Sequence, residues 1–298
     1  MQPGPDDGHG HEAAERDAAS RLNVGNRQKR LRRFWRAIPS APRCKLCHRP
    51  FAGLGGSFMR LMGLGPWTGN PKYCRGCFRA LYRNRAGAEI ECTLVFADVR
   101  DSTRLAESLR PNEFRRRMDR FYQAAFAALV ARDAFVDKFV GDEVIGIFVP
   151  AMTDGLHARQ ALASGLELLR ATGNAGPDPW IPVGIGVNTG IAYVGAVGTD
   201  EHVEFTAIGD PVNIAARLSA HAGAGEILTT LETLHAAAWP DAGLERRRLE
   251  LKGKSEPIEA LVLPADSVVP ESNPPEGEVE GDVVDDLETA GDEERESR

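Results

Sequence analysis

No stretch of this chain holds the roughly 18 consecutive apolar residues of a membrane-spanning helix, so no membrane span is expected. The N-terminal "MQPGPDDGHGHEAAERDAAS" lacks a basic segment followed by an apolar core. No secretory signal is read there, and the cytoplasm is the expected compartment. Residues 266–298 lack aromatics altogether and carry thirteen acids against two arginines, a net of −11. Such a tail cannot bury enough surface to fold and is read as disordered. The overall net charge of −7 therefore hides a remainder of +4. Acids in turn are missing from 21–36, "RLNVGNRQKRLRRFWR", which has seven basic residues. A segment like this can meet nucleic acid, anionic lipid or the acidic tail. A solvated arm is the plainer reading of 1–40, and no nucleic-acid partner is expected.

Cysteine is scarce, and four of the five residues stand in two pairs, Cys44-x2-Cys47 and Cys74-x2-Cys77, separated by 26 residues. Two such knuckles supply the four thiolates of a tetrahedral zinc site. Two disulfides or two redox pairs are the alternatives. A cytosolic chain argues against the first, and no βαβ pattern surrounds either pair. Residues 41–80 are accordingly read as a zinc-ribbon-like module with a structural Zn2+, His48 being a spare candidate ligand. Cys92 sits in an apolar run and reads as a small core residue.

After a linker over 81–90, residues 91–265 have the pattern of one compact α+β domain. "ECTLVFAD" reads as a buried strand ending in an acid, and two helices follow, with Pro111 opening the second. A further helix, a glycine-rich strand, a helix begun by Asp210 as N-cap and Pro211, and three closing strands complete the pass. The order βααββαβ is that of a ferredoxin-like fold. Between the helices lies "FVDKFVGDEVIGIF", two apolar strands meeting at Gly141-Asp142, yet holding Asp137, Lys138, Asp142 and Glu143. Charged groups in such a place need partners or a metal. In this fold Asp98 would lie beside Asp142, and paired carboxylates suit Mg2+ or Mn2+.

"VFADVRDSTRLAE", "DKFVGDEVIGIF", "VGIGVNTGIAYVGAVG", "FTAIGDPVNIAARL" and "LKGK", in this order, resemble the successive motifs of the class III adenylyl/guanylyl cyclase catalytic domain. "GKS" at 253–255 and "GIGVNTG" only imitate phosphate-binding loops. The resemblance implies two metal ions held by Asp98, Asp142 and the carbonyl of Val99. It implies that Lys138 and Thr206 read the base, where a lysine fits adenine and guanylyl cyclases carry a glutamate. Thr at the second position resembles a bacterial subgroup with some bicarbonate-responsive members. Asn213 would orient the ribose, Arg217 would stabilise the α-phosphate, and Lys252 would hold the terminal phosphates. A homodimer with active sites at its interface is implied, with ATP as the substrate and cyclic AMP as the product. A guanylyl cyclase and a degenerate cyclase-like binding module are the rival readings. Asp101-Ser102-Thr103 departs from the family's usual Gly-Phe-Thr. Asp137 and Glu143 receive no role and are read as solvated.

Overall fold

The computed structural model describes residues 35, 40–45, 47–68, 70–77, 79, 87–199, 203–250 and 257–270. The basic arm and acidic tail thus fall almost wholly outside the described residues, as does Lys252. The described residues up to Ser267 form one compact unit, and those from Val268 fall in a second. No helix among the described residues is long and apolar enough to cross a membrane.

In chain order come α1 (Gly53–Leu61), β1 (Gly87–Val99), α2 (Ser102–Ser108), α3 (Pro111–Ala131), β2 (Phe135–Val140), β3 (Glu143–Phe148) and α4 (His157–Ala171). Then follow β4 (Val183–Gly198), β5 (Val203–Ile208), α5 (Asp210–His221), β6 (Glu226–Thr229), α6 (Leu231–Ala236), β7 (Glu245–Leu249) and β8 (Ile258–Pro264). The sheet runs β2-β3-β1-β4-β6-β8-β7, with β5 paired to β4 off this path. Its first four strands each run antiparallel to their neighbours and give the expected ferredoxin-like core. β1 begins at Gly87, inside the segment read as linker. The short β5, α6 and α1 were not anticipated.

Alternation along β1 assigns the two faces. On one face, Thr93 reaches His157 at the start of α4 (Oγ1 to Nδ1 2.8 Å). Gly146, opposite Val95, lies against Leu129 of α3. α3 presents Met118, Phe121, Ala125 and Leu129 to this side at helical spacing. On the other face, Cys92, Leu94 and Phe96 share a core with Phe51, Tyr73 and Cys74 of the N-terminal module. Three polar contacts join the same parts. Asn70 Nδ2 donates to Ala134 O at 2.6 Å, and Lys45 and Lys72 both meet the Asp133 carboxylate, at 2.5 and 2.7 Å. The cysteine module is therefore continuous with the α+β core, where the sequence suggests a bead on a linker.

The glycines of "GIGVNTG" have a packing reason. α5 lies directly on β4, and a Cβ on Gly186 would run into Ala215 O and Ser219 N of that helix; one on Gly190 would come 2.7 Å from Pro211 Cγ. Gly186→Ala should therefore lift α5 and cost about 1–3 kcal/mol or more, read as a lowered denaturation midpoint; an unchanged midpoint would refute the close seating. The helix starts one residue earlier than expected: Gly209, not Asp210, is the N-cap, without a side-chain cap bond, and Asp210 is the first helical residue.

Candidate active site

Two groups of chemistry-bearing side chains stand out, the second of them on the face that α5 covers. The first is at the β2–β3 bend. Asp98 is in register with Glu143, and Val99 N donates to Asp142 O at 3.2 Å, so both aspartates end neighbouring strands. Gly141 turns the chain with φ 61°, and the Tyr122 hydroxyl donates to its carbonyl. Arg100, which the sequence reading passed over, pairs with Asp98 and also donates to Ser219 O, Ala220 O and Ala222 O at 3.2–3.4 Å. It ties the aspartate strand to the C-terminal end of α5, where a cation suits the free carbonyls. Burial, then the neighbouring Asp142 charge, raises the Glu143 carboxyl above its usual range. Glu143 is half-buried, not the solvated group expected. Carboxylates are hard oxygen donors of the kind that suits a small divalent cation, and here the Asp98 carboxylate is engaged by Arg100.

Asp101, the departure from Gly-Phe-Thr, sits at φ 53°, ψ 31° before α2. This left-handed conformation accounts for a glycine there, and aspartate is among the few other residues that accept it.

The second group surrounds a cavity of about 280 Å³ walled by Leu94, Phe96 and Ile145. Asp137 and Lys138 of β2, Thr206 of β5 and Asn213 of α5 supply its polar rim. Lys138 Nζ meets Glu204 Oε2 at 2.5 Å, and Thr206 Oγ1 donates to Asp137 Oδ2 at 2.7 Å. Asp137 is thus a partnered, half-buried group, a correction to its solvated reading. Arg217 lies one helical turn beyond Asn213, on the same side of α5.

Beyond Phe135 the cavity wall leads to the cysteine module. Trp67 stacks on Phe135 (centroids 5.3 Å apart, planes 6° apart), and Phe135 meets Phe205 edge-on at 4.9 Å. The Sγ atoms of Cys44, Cys47, Cys74 and Cys77 all lie within 4.8 Å of one another. Separations of 3.5–3.9 Å match the roughly 3.8 Å edge of a tetrahedron with zinc–sulfur bonds of about 2.3 Å. Arg49 Nη1 points at Cys74 Sγ from 3.6 Å. Cys92 is fully buried, and burial pushes its thiol up to about 12.

Comparison with known proteins places this arrangement. The family model of the adenylate and guanylate cyclase catalytic domain matches residues 86–263. The chain belongs to that family. It is 31% identical over 178 residues to an adenylate cyclase of Anabaena cylindrica, covering 56% of this chain and 35% of that protein. Adenylate cyclase 1 of Rhizobium meliloti is 30% identical over 143 residues, covering 46% and 22% respectively. The chain thus spans about a third or less of these relatives' length. Among solved structures, the adenylyl cyclase CyaB of P. aeruginosa is 27% identical with a TM-score of 0.53, covering 59% of this chain and 95% of that one. The guanylyl cyclase Cya2 is 25% identical with the same TM-score, over 59% and 92%. The cyclase match begins at residue 86, so the four-cysteine cluster lies outside it.

Proposed function

We propose that this cyclase domain converts ATP to 3′,5′-cyclic AMP and pyrophosphate, as an intracellular signalling enzyme. The observation that carries the choice of base is the pairing of Lys138 with Thr206 on one cavity rim. An ammonium only donates, which suits the acceptor N1 of adenine and opposes the N1–H of guanine. A threonine oxygen accepts from the adenine amino group. Asp98, Asp142 and the Val99 carbonyl are the groups to hold Mg2+ or Mn2+. Two such ions, when bound, supply charge to the attacking and leaving oxygens. The substrate's 3′-hydroxyl attacks the α-phosphorus in line and pyrophosphate departs. Asn213 holds the ribose, Arg217 meets charge growing on the α-phosphate, and Lys252 is assigned the terminal phosphates. Little covalent chemistry falls to the protein, so positioning and charge carry the rate.

The four thiolates of the module are proposed to hold one Zn2+. With four protein ligands no coordination position stays open, so the role is structural. We also assign the active unit to a homodimer in which Asp98 and Asp142 of one protomer meet Lys138, Thr206, Asn213, Arg217 and Lys252 of its partner. Exposed Phe139, Val140, Ile191 and Ile208 near these groups support an apolar interface there.

The test is direct. Purified protein incubated with Mn2+ and either ATP or GTP should yield cyclic AMP by mass spectrometry, with the larger kcat/KM for ATP. Lys138→Glu should lower the ATP value about 10- to 100-fold. Equal use of GTP by the unmutated protein would overturn the adenine assignment, and no cyclic product from either would favour the binding-module reading.

A further inference from the structure

Successive side chains of a strand point to opposite faces of the sheet. Asp137 and Lys138 are successive in β2, yet both line the cavity. The register explains this. Val136 pairs with Gly146 and Lys138 with Ile145, neighbours on β3, so Asp137 is one residue too many for the ladder. It is the extra residue of a β-bulge, a device that re-aims side chains. The bulge brings Asp137 to Thr206 on β5, where it accepts the hydroxyl proton at 2.7 Å.

A threonine hydroxyl alone is ambivalent, since it rotates to donate or accept. It could serve the amino group of adenine or the carbonyl O6 of guanine alike. With its proton committed to Asp137, the oxygen turns only lone pairs to the cavity. We infer that Asp137 is a specificity-determining positioning residue, which fixes Thr206 as a one-way acceptor and so selects a base with an exocyclic amine beside a ring acceptor. Lys138, held by Glu204, supplies the complementary donor. The pair then reads adenine correctly and opposes guanine at both positions. Burial first, and then Glu204, raises the Asp137 carboxyl, while the Thr206 hydrogen bond and Lys138 pull it down. The inference rests on the adenylate cyclase reading above.

The experiment compares kcat/KM for ATP and GTP in the unmutated protein, Asp137→Ala, Thr206→Val and the double variant. Asp137→Ala frees the hydroxyl to rotate, and the ATP-to-GTP ratio should fall about 3- to 10-fold, the worth of one hydrogen bond. Because Asp137 acts through Thr206, adding Asp137→Ala to Thr206→Val should leave the ratio where Thr206→Val alone sets it. A structural role would instead lower both substrates by one factor and leave the ratio unmoved, which would overturn the inference. So would a ratio change that persists in the Thr206→Val background. Dissociation constants of 3′-deoxy-ATP and 3′-deoxy-GTP, which lack the attacking hydroxyl, give the same ratio where turnover is too low to read. An unmutated protein that prefers GTP sinks the adenylate cyclase reading itself. A firm ATP preference that Asp137→Ala leaves intact sinks only this inference.

Discussion

Protein purified without added metal should contain about one zinc per chain, and Cys74→Ser should lower its denaturation midpoint by about 10 °C or more. Apparent binding energies of structural zinc run at about 10–16 kcal/mol, comparable to the roughly 5–15 kcal/mol that holds a typical domain folded. For a chain of this size each kcal/mol moves the midpoint by about 2–4 °C, so losing even a third of that energy is visible. The effect should not stop at the module. Cys44, Cys74, Phe51 and Tyr73 share a core with Cys92, Leu94 and Phe96 of β1, so a collapsed knuckle uncovers the sheet. The stack runs from Trp67 through Phe135, two residues before Asp137, to Phe205, which precedes Thr206. KM for ATP should accordingly rise as zinc is chelated. Metal content per folded chain checks the assignment, because Cys44 and Cys74 are as fully buried as Cys92 and would react slowly with or without a metal. A folded, metal-free protein with an unshifted midpoint would rule the zinc site out.

Asp98→Ala and Arg217→Ala, each nearly inactive alone, should restore about one quarter of full activity when mixed in equal amounts and allowed to exchange. Under the shared-site arrangement a twofold dimer has two equivalent sites, each drawing on both chains. In a mixed dimer both lesions fall into one site and the other is whole. Random exchange makes about half the dimers mixed, each with one working site of two. Were each site complete within one chain, every site in the mixture would carry a lesion and nothing would return. Light scattering and exchange of differently tagged subunits establish independently that mixed dimers form. Proven exchange without recovery would refute the shared site.

Much of the fold could be read from residue patterns because its elements are long and periodic. α3 buries one stripe at helical spacing, while β1 is a continuous buried apolar run and α4 is buried nearly all round, and the resulting order leads to the antiparallel core. The elements that escaped notice are short. β5 has six residues with partly exposed faces, so its sequence reads as the approach to a helix. The site was partly legible: Lys138, Thr206 and Asn213 do share a cavity, and Asp98 and Asp142 do end neighbouring strands. What escaped was long-range. Arg100 acquires its partners from residues some 120 positions away. The role of Asp137 depends on a register shift, although "FVDKFV" carries a trace of it, since two adjacent polar residues break the alternation of an ordinary strand. The glycines of β4 looked like an imperfect phosphate loop because a glycine signals close approach without naming what approaches.

That close approach bears on how freely the sequence can drift. Where two elements meet through side chains, a substitution on one can be absorbed by its neighbours, and the spacing wanders as cores are refilled. α5 meets β4 with backbone against backbone at Gly186, and there is no side chain between them to exchange. The height of the helix above the sheet, and with it the stations of Asn213 and Arg217, is thus insulated from changes elsewhere in the core. The same seating makes Gly186 a position where any side chain must push the helix away from the sheet. Divergent versions of this chain should therefore vary their core side chains widely while keeping one gauge, the thickness of bare main chain between strand and helix.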